Sequence, residues 1–217
     1  MDRMQQEDVD AALSGFDVSR ETRERLDVLV AELRRWQKAK NLVGPGTLDT
    51  IWTRHIADSL QLVSLAPDAN VWLDLGSGAG FPGLVIAIML HGRDGARVHC
   101  VESNGRKCSF LRHAARTTGA PVTVHNARIE DVIASFTGKV DIVTARALAP
   151  LPRLLGWTAP LLTTGVQALF PKGDNALGEL TEARESWKFE VETIPSRTDP
   201  RGQILRIGSL EKAQPAR

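Results

Sequence analysis

The feature that most limits what this chain can become is the apolar run Val71-Trp72-Leu73-Asp74-Leu75. It passes into Gly76-Ser77-Gly78-Ala79-Gly80-Phe81-Pro82-Gly83 and then into a second apolar stretch, Leu84 to Leu90. A short apolar run, a glycine-rich turn and a helical pattern make a strand–turn–helix unit. Glycines accept backbone dihedrals closed to other residues, and they remove the side chain that would keep a ligand away from the backbone. Pro82 suits the first turn of the helix, where its missing N–H leaves nothing unsatisfied. Such a unit belongs to a parallel sheet that binds a ligand at the carboxyl ends of its strands.

The rest of the chain agrees with such a sheet. After Pro67, short apolar runs alternate with helical patterns, the mark of βαβ units. Strands are expected near Val71–Leu75, Arg97–Val101, Val122–His125, Val140–Ala145 and Val166–Phe170, with two more near Lys188–Ile194 and Gln203–Ile207. Only Pro195 through Gly202 joins the last two, and Asp199-Pro200-Arg201-Gly202 within it is a turn signal. A parallel crossover needs about a dozen residues, so this pair is antiparallel. Before Pro67 the chain reads as helix. Ser19 is placed to cap a helix that carries Leu26, Leu29, Val30, Leu33 and Trp36 at helical spacing. Gly44-Pro45-Gly46 interrupts the pattern, and Thr47 is placed to cap a second helix. The stripe of that helix, Leu48, Ile51, Trp52, Ile56, Leu60 and Val63, has His55 and Ser59 near its centre. The expected fold is α/β and Rossmann-like, a mostly parallel seven-stranded sheet with one antiparallel strand over residues 67–210. A helical N-terminal extension over 1–66 packs on it, 211–217 is a tail, and the whole is one compact body.

At 217 residues, 42% apolar and 24% charged, the chain has the composition of a soluble α/β protein with a sizeable core. Leu84 to Leu90 falls far short of the roughly 20 apolar residues that cross a bilayer. The polar, acidic Met1 to Asp10 is no secretory signal, so a cytoplasmic protein without membrane attachment is expected. Cys100 and Cys108 lack the number and spacing of a disulfide framework or a zinc site and read as structural thiols. A net charge of +1 announces no nucleic-acid binder, yet an average conceals patches. Ser103 to Ile129 contains no acid but has Arg106, Lys107, Arg112, Arg116 and Arg128. Ile142 to Gly173 is again acid-free, with Arg146, Arg153 and Lys172. Either stretch alone is as readily a solvated helix face.

Two cofactor classes use a turn like that at Gly76. Gly78-x-Gly80-x-x-Gly83 fits the dinucleotide fingerprint, and glycine spacing does not separate a nicotinamide dinucleotide from S-adenosylmethionine. Asp74, just ahead of the first glycine, favours the methyl donor: its carboxylate orders the turn, faces a ligand with positive charge and would repel a pyrophosphate. The reversed hairpin points the same way, because Rossmann-like methyltransferases carry an antiparallel seventh strand. Glu102, at the end of the second strand, holds the place of the acid that binds ribose hydroxyls. After the third strand, Asn126-Ala127-Arg128-Ile129-Glu130 should pass beside the adenine, with Ile129 on the ring. An acid such as Glu130 is favourable in the first turn of any short helix as well.

Absences narrow the acceptor. Arg146-Ala147-Leu148-Ala149-Pro150 follows the fourth strand, where methylation of exocyclic base amines often uses an Asn/Asp-Pro-Pro-aromatic turn. Neither cysteine lies on a turn where it could activate a pyrimidine carbon, and no acidic constellation marks a metal site. Guanine N7 has a free lone pair and needs no general base, only alignment with the methyl group and exclusion of water. Arg146, facing the crevice, is placed to donate to guanine O6, to the cofactor's carboxylate or to an RNA phosphate, and the three stay open. A guanine reaches such a pocket only from an unpaired stretch.

Thr53-Arg54-His55-Ile56-Ala57-Asp58-Ser59-Leu60, Leu73 through Gly83, Val101-Glu102-Ser103 and Thr144-Ala145-Arg146-Ala147 together resemble the ribosomal RNA small-subunit methyltransferase G family, once called glucose-inhibited division protein B. The resemblance extends to Phe170-Pro171-Lys172-Gly173. It implies methylation at N7 of a guanine in the decoding-region loop of bacterial 16S rRNA, with S-adenosylmethionine as cofactor and the small ribosomal subunit or its rRNA as partner. It places cofactor contacts at Gly76, Phe81, Ile129, Glu130 and Arg146; Asp74, Gly78 and Glu102 join them on the physical argument. His55, Asp58 and Ser59 match a family signature and, with Lys172, are the candidates for substrate contact. A monomer without metal is expected. The alternatives are a methyltransferase acting on another RNA, a protein or a small molecule, a nicotinamide-dependent oxidoreductase, and a non-catalytic RNA-binding protein.

Overall fold

The computed structural model describes residues 9–40, 42–44 and 47–213. Pro45 and Gly46, part of the expected break after the first helix, lie outside them, as do 1–8 and 214–217. Helix α1 (Arg20–Lys40) starts at its expected cap, where Ser19 Oγ accepts the Thr22 amide at 3.2 Å. Its residues Leu26, Leu29 and Leu33 are fully buried.

The second helix departs from expectation at its start. Thr47 Oγ1 donates to the Gly44 carbonyl at 2.7 Å and closes a turn instead of accepting helix amides. Trp52–Ala57 is π-helical and continues directly into α2 (Asp58–Leu65). Single π turns of this kind occur frequently at functional sites.

The remaining elements alternate. They are β1 (Val71–Leu75), α3 (Gly83–Met89), β2 (Arg97–Val101), α4 (Gly105–Thr118), β3 (Val122–His125), α5 (Ile129–Ser135), β4 (Ile142–Ala145), α6 (Leu151–Leu162), β5 (Gln167–Lys172), α7 (Ala176–Ser186), β6 (Trp187–Pro195) and β7 (Gln203–Lys212). The first three strands have the expected bounds. β7 runs on to Lys212, into the segment expected as a tail. Pro82 is the residue before α3 rather than in its first turn, and the Phe81–Pro82 peptide is cis.

The strands form one sheet of order β3-β2-β1-β4-β5-β7-β6. β1 to β5 are parallel, and β7 runs antiparallel to both of its neighbours. Side chains alternate between two cores. Trp72, Val98, Cys100, Ile142, Leu169 and Ile204 face one, which they share with Leu26, Leu29, Ile56, Leu84 and Phe110 from the helical prefix, α3 and α4. Leu73, Leu75, Val101, Val143, Phe170 and Leu205 face the other, with Ile133, Leu154 and Leu180 of α5, α6 and α7. The prefix is fastened to the first layer: Trp36 meets Phe110 edge-on at 5.7 Å, and His113 bonds Glu32 at 2.6 Å. Both cysteines are buried free thiols.

Chain order departs in opposite directions from β1 and β4, which makes their shared carboxyl end the topological switch point where ligands bind in open α/β sheets. Leu75 pairs there with Ala145, so the glycine turn and Arg146 leave the sheet side by side.

Candidate active site

The turn after β1 is ordered by two carboxylates. Asp74 is fully buried, and its Oδ2 accepts the Gly83 amide at 3.1 Å. Its Oδ1 is buried and finds no hydrogen-bond partner among the described residues. Burial pushes the carboxyl up to about 7, against the pull of its hydrogen bonds and of Arg146. Glu102 lies at the end of β2, 9% exposed; Oε2 accepts the Gly78 amide at 3.1 Å and Oε1 the Asn104 amide at 2.8 Å. Gly76, Gly78 and Gly80 all have positive φ, the conformation that only glycine adopts without strain. A Cβ on Gly80 would collide with Leu84, and one on Gly76 with Leu148, whereas one on Gly78 would make only an ordinary contact with Gly76 O at 3.7 Å.

Arg146 does not stand free in the crevice. Its Nη1 donates to the Arg54 carbonyl at 2.9 Å and to Asp58 Oδ2 at 3.3 Å, and its Nη2 to His55 Nδ1 at 2.5 Å. The π turn and the start of α2 thus close over the end of β4. Asp58 also accepts, through Oδ1, from Gln61 Nε2 and Thr198 Oγ1 at 2.8 Å each, which ties the β6–β7 turn to the same carboxylate. His55 stacks on Phe81, centroids 4.6 Å apart and planes 18° from parallel. Burial and the neighbouring guanidinium lower its pKa to about 3, so the ring is neutral.

A cavity of about 350 Å³ opens beside the turn, lined by Gly76, Glu102, Ile129, Glu130, Leu148 and Trp157 among others. It gathers the adenine-side candidates into one place. Trp157, which the sequence reading missed, donates its Nε1–H to Glu130 Oε1 at 3.0 Å and carries the Arg153 guanidinium 4.6 Å from its ring centroid. An aromatic residue four positions after an arginine, in an acid-free stretch, was its only signal. Residues of both acid-free stretches wall this cavity, Lys107 and Arg128 from one and Arg153 from the other. A larger depression, about 730 Å³, lies at the opposite end of the sheet around Pro67, Asp141 and Gly165, where strands begin rather than end. Size alone would choose it, but the rule that ligands bind at carboxyl ends and the carboxylates at Asp74 and Glu102 favour the smaller one.

Two expected substrate contacts are turned inward. Ser59 is fully buried, with its hydroxyl donated to the His55 carbonyl at 2.6 Å. Lys172, expected at a phosphate, has a side chain 7% exposed; Nζ pairs with Glu179 at 2.7 Å and donates to the Ala149 carbonyl at 2.8 Å. The reason lies in α7, which places Glu179 against the end of β5.

The donor set fits the methyl donor and not a dinucleotide. An unpaired buried carboxylate oxygen suits an ammonium group. The Gly78 amide that would cradle a phosphate is already taken by Glu102, and two carboxylates would repel a pyrophosphate. The fold and this turn therefore define a Rossmann-like methyltransferase. The O-methyltransferase from Bacillus cereus, solved in complex with S-adenosylhomocysteine, has a similar fold: TM-score 0.60 at 16% identity, covering 93% of this chain and 97% of that one.

The family model for rRNA small subunit methyltransferase G matches residues 22–204. The chain is 60% identical over 203 residues to the ribosomal RNA small subunit methyltransferase G of Methylorubrum extorquens and 59% identical over 203 residues to that of Methylorubrum populi, each time covering 94% of this chain and 96% of the relative. The chain belongs to the rRNA small subunit methyltransferase G family. The nicotinamide-dependent oxidoreductase and the non-catalytic RNA-binding protein that the sequence left open fall with that membership.

Proposed function

We propose that the protein methylates N7 of a guanine in the decoding-region loop of 16S rRNA, acting in the cytoplasm as a monomer. The observation that carries the RNA reading is the meeting of the two acid-free stretches around one cavity, with Lys107, Arg128 and Arg153 at its wall. A single basic helix face is ordinary; two sequence-distant ones converging on a ligand crevice form an electrostatic footprint for phosphates. The family's name supports small-subunit rRNA as the partner. Val28 and Leu177 are the large apolar residues exposed among those described, which supports a monomer.

S-adenosylmethionine supplies, when bound, a methyl group on a positively charged sulfur. Asp74 Oδ1 is available to its ammonium group, Glu102 to its ribose hydroxyls, and Ile129 with Glu130 to its adenine. Guanine N7 would take the methyl group on its own lone pair while the sulfur–methyl bond broke and its electron pair returned to sulfur, with neutral S-adenosylhomocysteine as the leaving group, so the protein's part is to align the ring, exclude water and receive the base from an unpaired segment. Nothing in the step requires a proton acceptor.

Transfer of labelled methyl to bare 16S rRNA, to small subunits and to whole ribosomes, followed by mapping of the modified base, tests the proposal. A single N7-methylguanine in the decoding-region loop is the expected product. Label at another atom, or on none of the three substrates, defeats it.

A further inference from the structure

We infer that His55 is a ligand-binding residue whose Nε2–H donates to an oxygen acceptor brought by the bound ligands, either the carboxylate of the methyl donor's amino-acid end or the O6 carbonyl of the target guanine. The inference rests on the methyl-transfer reading of the crevice.

The first step is the tautomer. A guanidinium only donates, and Arg146 Nη2 faces His55 Nδ1 at 2.5 Å, so Nδ1 is the acceptor and the ring proton sits on Nε2. Protonating Nδ1 would set two donors against each other, consistent with the depressed pKa of this imidazole.

The second step is what the proton meets. Nε2 is buried and has no hydrogen-bond partner among the described residues. A structural histidine in a core has both nitrogens satisfied; leaving a buried donor unpaired is unfavourable enough that each such atom requires a reason. Here the ring is held in place from two sides, stacked on Phe81 at 4.6 Å and bonded to Arg146. A donor so fixed beside the glycine turn is prepared for a partner that arrives later.

The third step is the complement. Asp74 Oδ1 is a buried acceptor likewise without a partner, and its carboxyl senses the charge of the same Arg146 that bonds His55. An unpaired acceptor and an unpaired donor, both near Arg146, match a zwitterionic amino-acid group, ammonium to Asp74 and carboxylate to His55. The guanine carbonyl is the other acceptor the reaction brings into this space.

The test separates the two sources. His55→Phe keeps the stacking on Phe81 and removes both nitrogens, while His55→Gln keeps an acceptor and a donor. Binding of S-adenosylhomocysteine by calorimetry and steady-state kinetics on small subunits are measured for both, with melting temperature as the control for folding. If the carboxylate is the partner, His55→Phe weakens S-adenosylhomocysteine by about 10- to 100-fold and His55→Gln recovers most of it. If guanine O6 is the partner, that affinity holds and kcat/KM for the subunit falls by the same factor. A folded His55→Phe protein that changes neither overturns the inference. Nitrogen-15 spectra of the wild-type protein cover the case in which the variants do not fold. The Nε2–H tautomer, shifted by S-adenosylhomocysteine or by substrate, is expected; an Nδ1–H tautomer, or one that neither ligand moves, also overturns it. Failure of the wild-type protein to bind S-adenosylhomocysteine at all would instead count against the methyl-transfer reading beneath it.

Discussion

Asp74 holds the Gly83 amide at 3.1 Å with one carboxylate oxygen and keeps the other buried and unpaired, so the residue that shapes the turn is also an acceptor in waiting. The glycine is what makes this contact possible. A Cβ at position 83 would stand 2.6 Å from Asp74 Oδ2 and 2.8 Å from Cys100 Sγ.

Asp74 should make the ligand-free protein pH-sensitive. Its pKa in the fold is about 7 against an ordinary 3.8, with burial as the main cause. Between roughly pH 4 and pH 7 the folded state therefore binds more protons than the unfolded one, and this group's contribution to stability falls as pH rises through that window, then levels off. Asp74→Asn should remove that slope and raise the melting temperature of the ligand-free protein at pH 8 by a few degrees, at about 2–4 °C per kcal/mol for a domain of this size. On the proposed contact with the cofactor's ammonium group, the ionised form is the one that binds. Affinity for S-adenosylhomocysteine should thus drop about tenfold per unit below pH 7 in the wild-type protein, and be weak and flat in the variant. Equal pH profiles in the two proteins would show that Asp74 is not the titrating group.

The glycines of the turn should differ in kind when replaced by alanine. Gly83→Ala drives a methyl group into two buried atoms and breaks the Asp74 bond, at about 2–4 kcal/mol of stability. Gly78 has φ +55, and its Cβ would meet only Gly76 O, at an ordinary 3.7 Å, so Gly78→Ala costs about 1–2 kcal/mol of backbone strain, with a larger effect on cofactor affinity because the methyl group occupies the approach to the turn. Urea denaturation and calorimetric titration check the two orders. If Gly83→Ala proves the milder in stability, the steric account is wrong.

Much of this arrangement was legible in the sequence because local signals dominated it. Val71–Leu75 is an apolar run between Pro67 and Gly76, and it became a strand with those bounds. The short link from Pro195 to Gly202 forced β7 to reverse. The π turn was not legible: one inserted residue in a helical pattern leaves the apolar stripe of Ile51, Trp52 and Ile56 nearly intact, so periodicity does not record it. Arg146 was placed at the crevice, but its partners sit 92 and 88 residues away in the prefix, and no spacing rule joins them. The pairing of Lys172 was hidden for the same reason, since its counter-charge Glu179 arrives on another element.

Lys172→Met should therefore behave as a structural change. Removing the ammonium leaves Glu179, which also accepts the Leu151 amide at the start of α6 at 2.6 Å, without its counter-charge. A loss of about 2–4 kcal/mol is expected, with the partial exposure of Glu179 keeping it below the cost of breaking a fully buried pair. The salt dependence of rRNA binding should not change. Unaltered stability together with a shallower salt slope would return Lys172 to the RNA-binding surface.

Arg128 and Arg153 are expected to make the phosphate contacts. Both are exposed and both wall the cavity beside the turn, one from each acid-free stretch. A phosphate contact releases condensed counterions, so each arginine lost should lower the slope of log K against log salt by about 0.7–0.9 and weaken binding regardless of sequence. Arg128→Gln keeps the N-cap position of α5, where the backbone rather than the side chain makes the turn; little change in melting temperature should follow. Arg153→Gln removes the cation from the Trp157 face but leaves the Trp157–Glu130 bond. Filter binding of small-subunit rRNA at a series of salt concentrations reads both slopes, and the double variant should lose their sum, because each phosphate contact releases its own counterions. Slopes equal to that of the wild-type protein would mean that the RNA lies elsewhere and that the convergence of the two stretches serves only the cofactor.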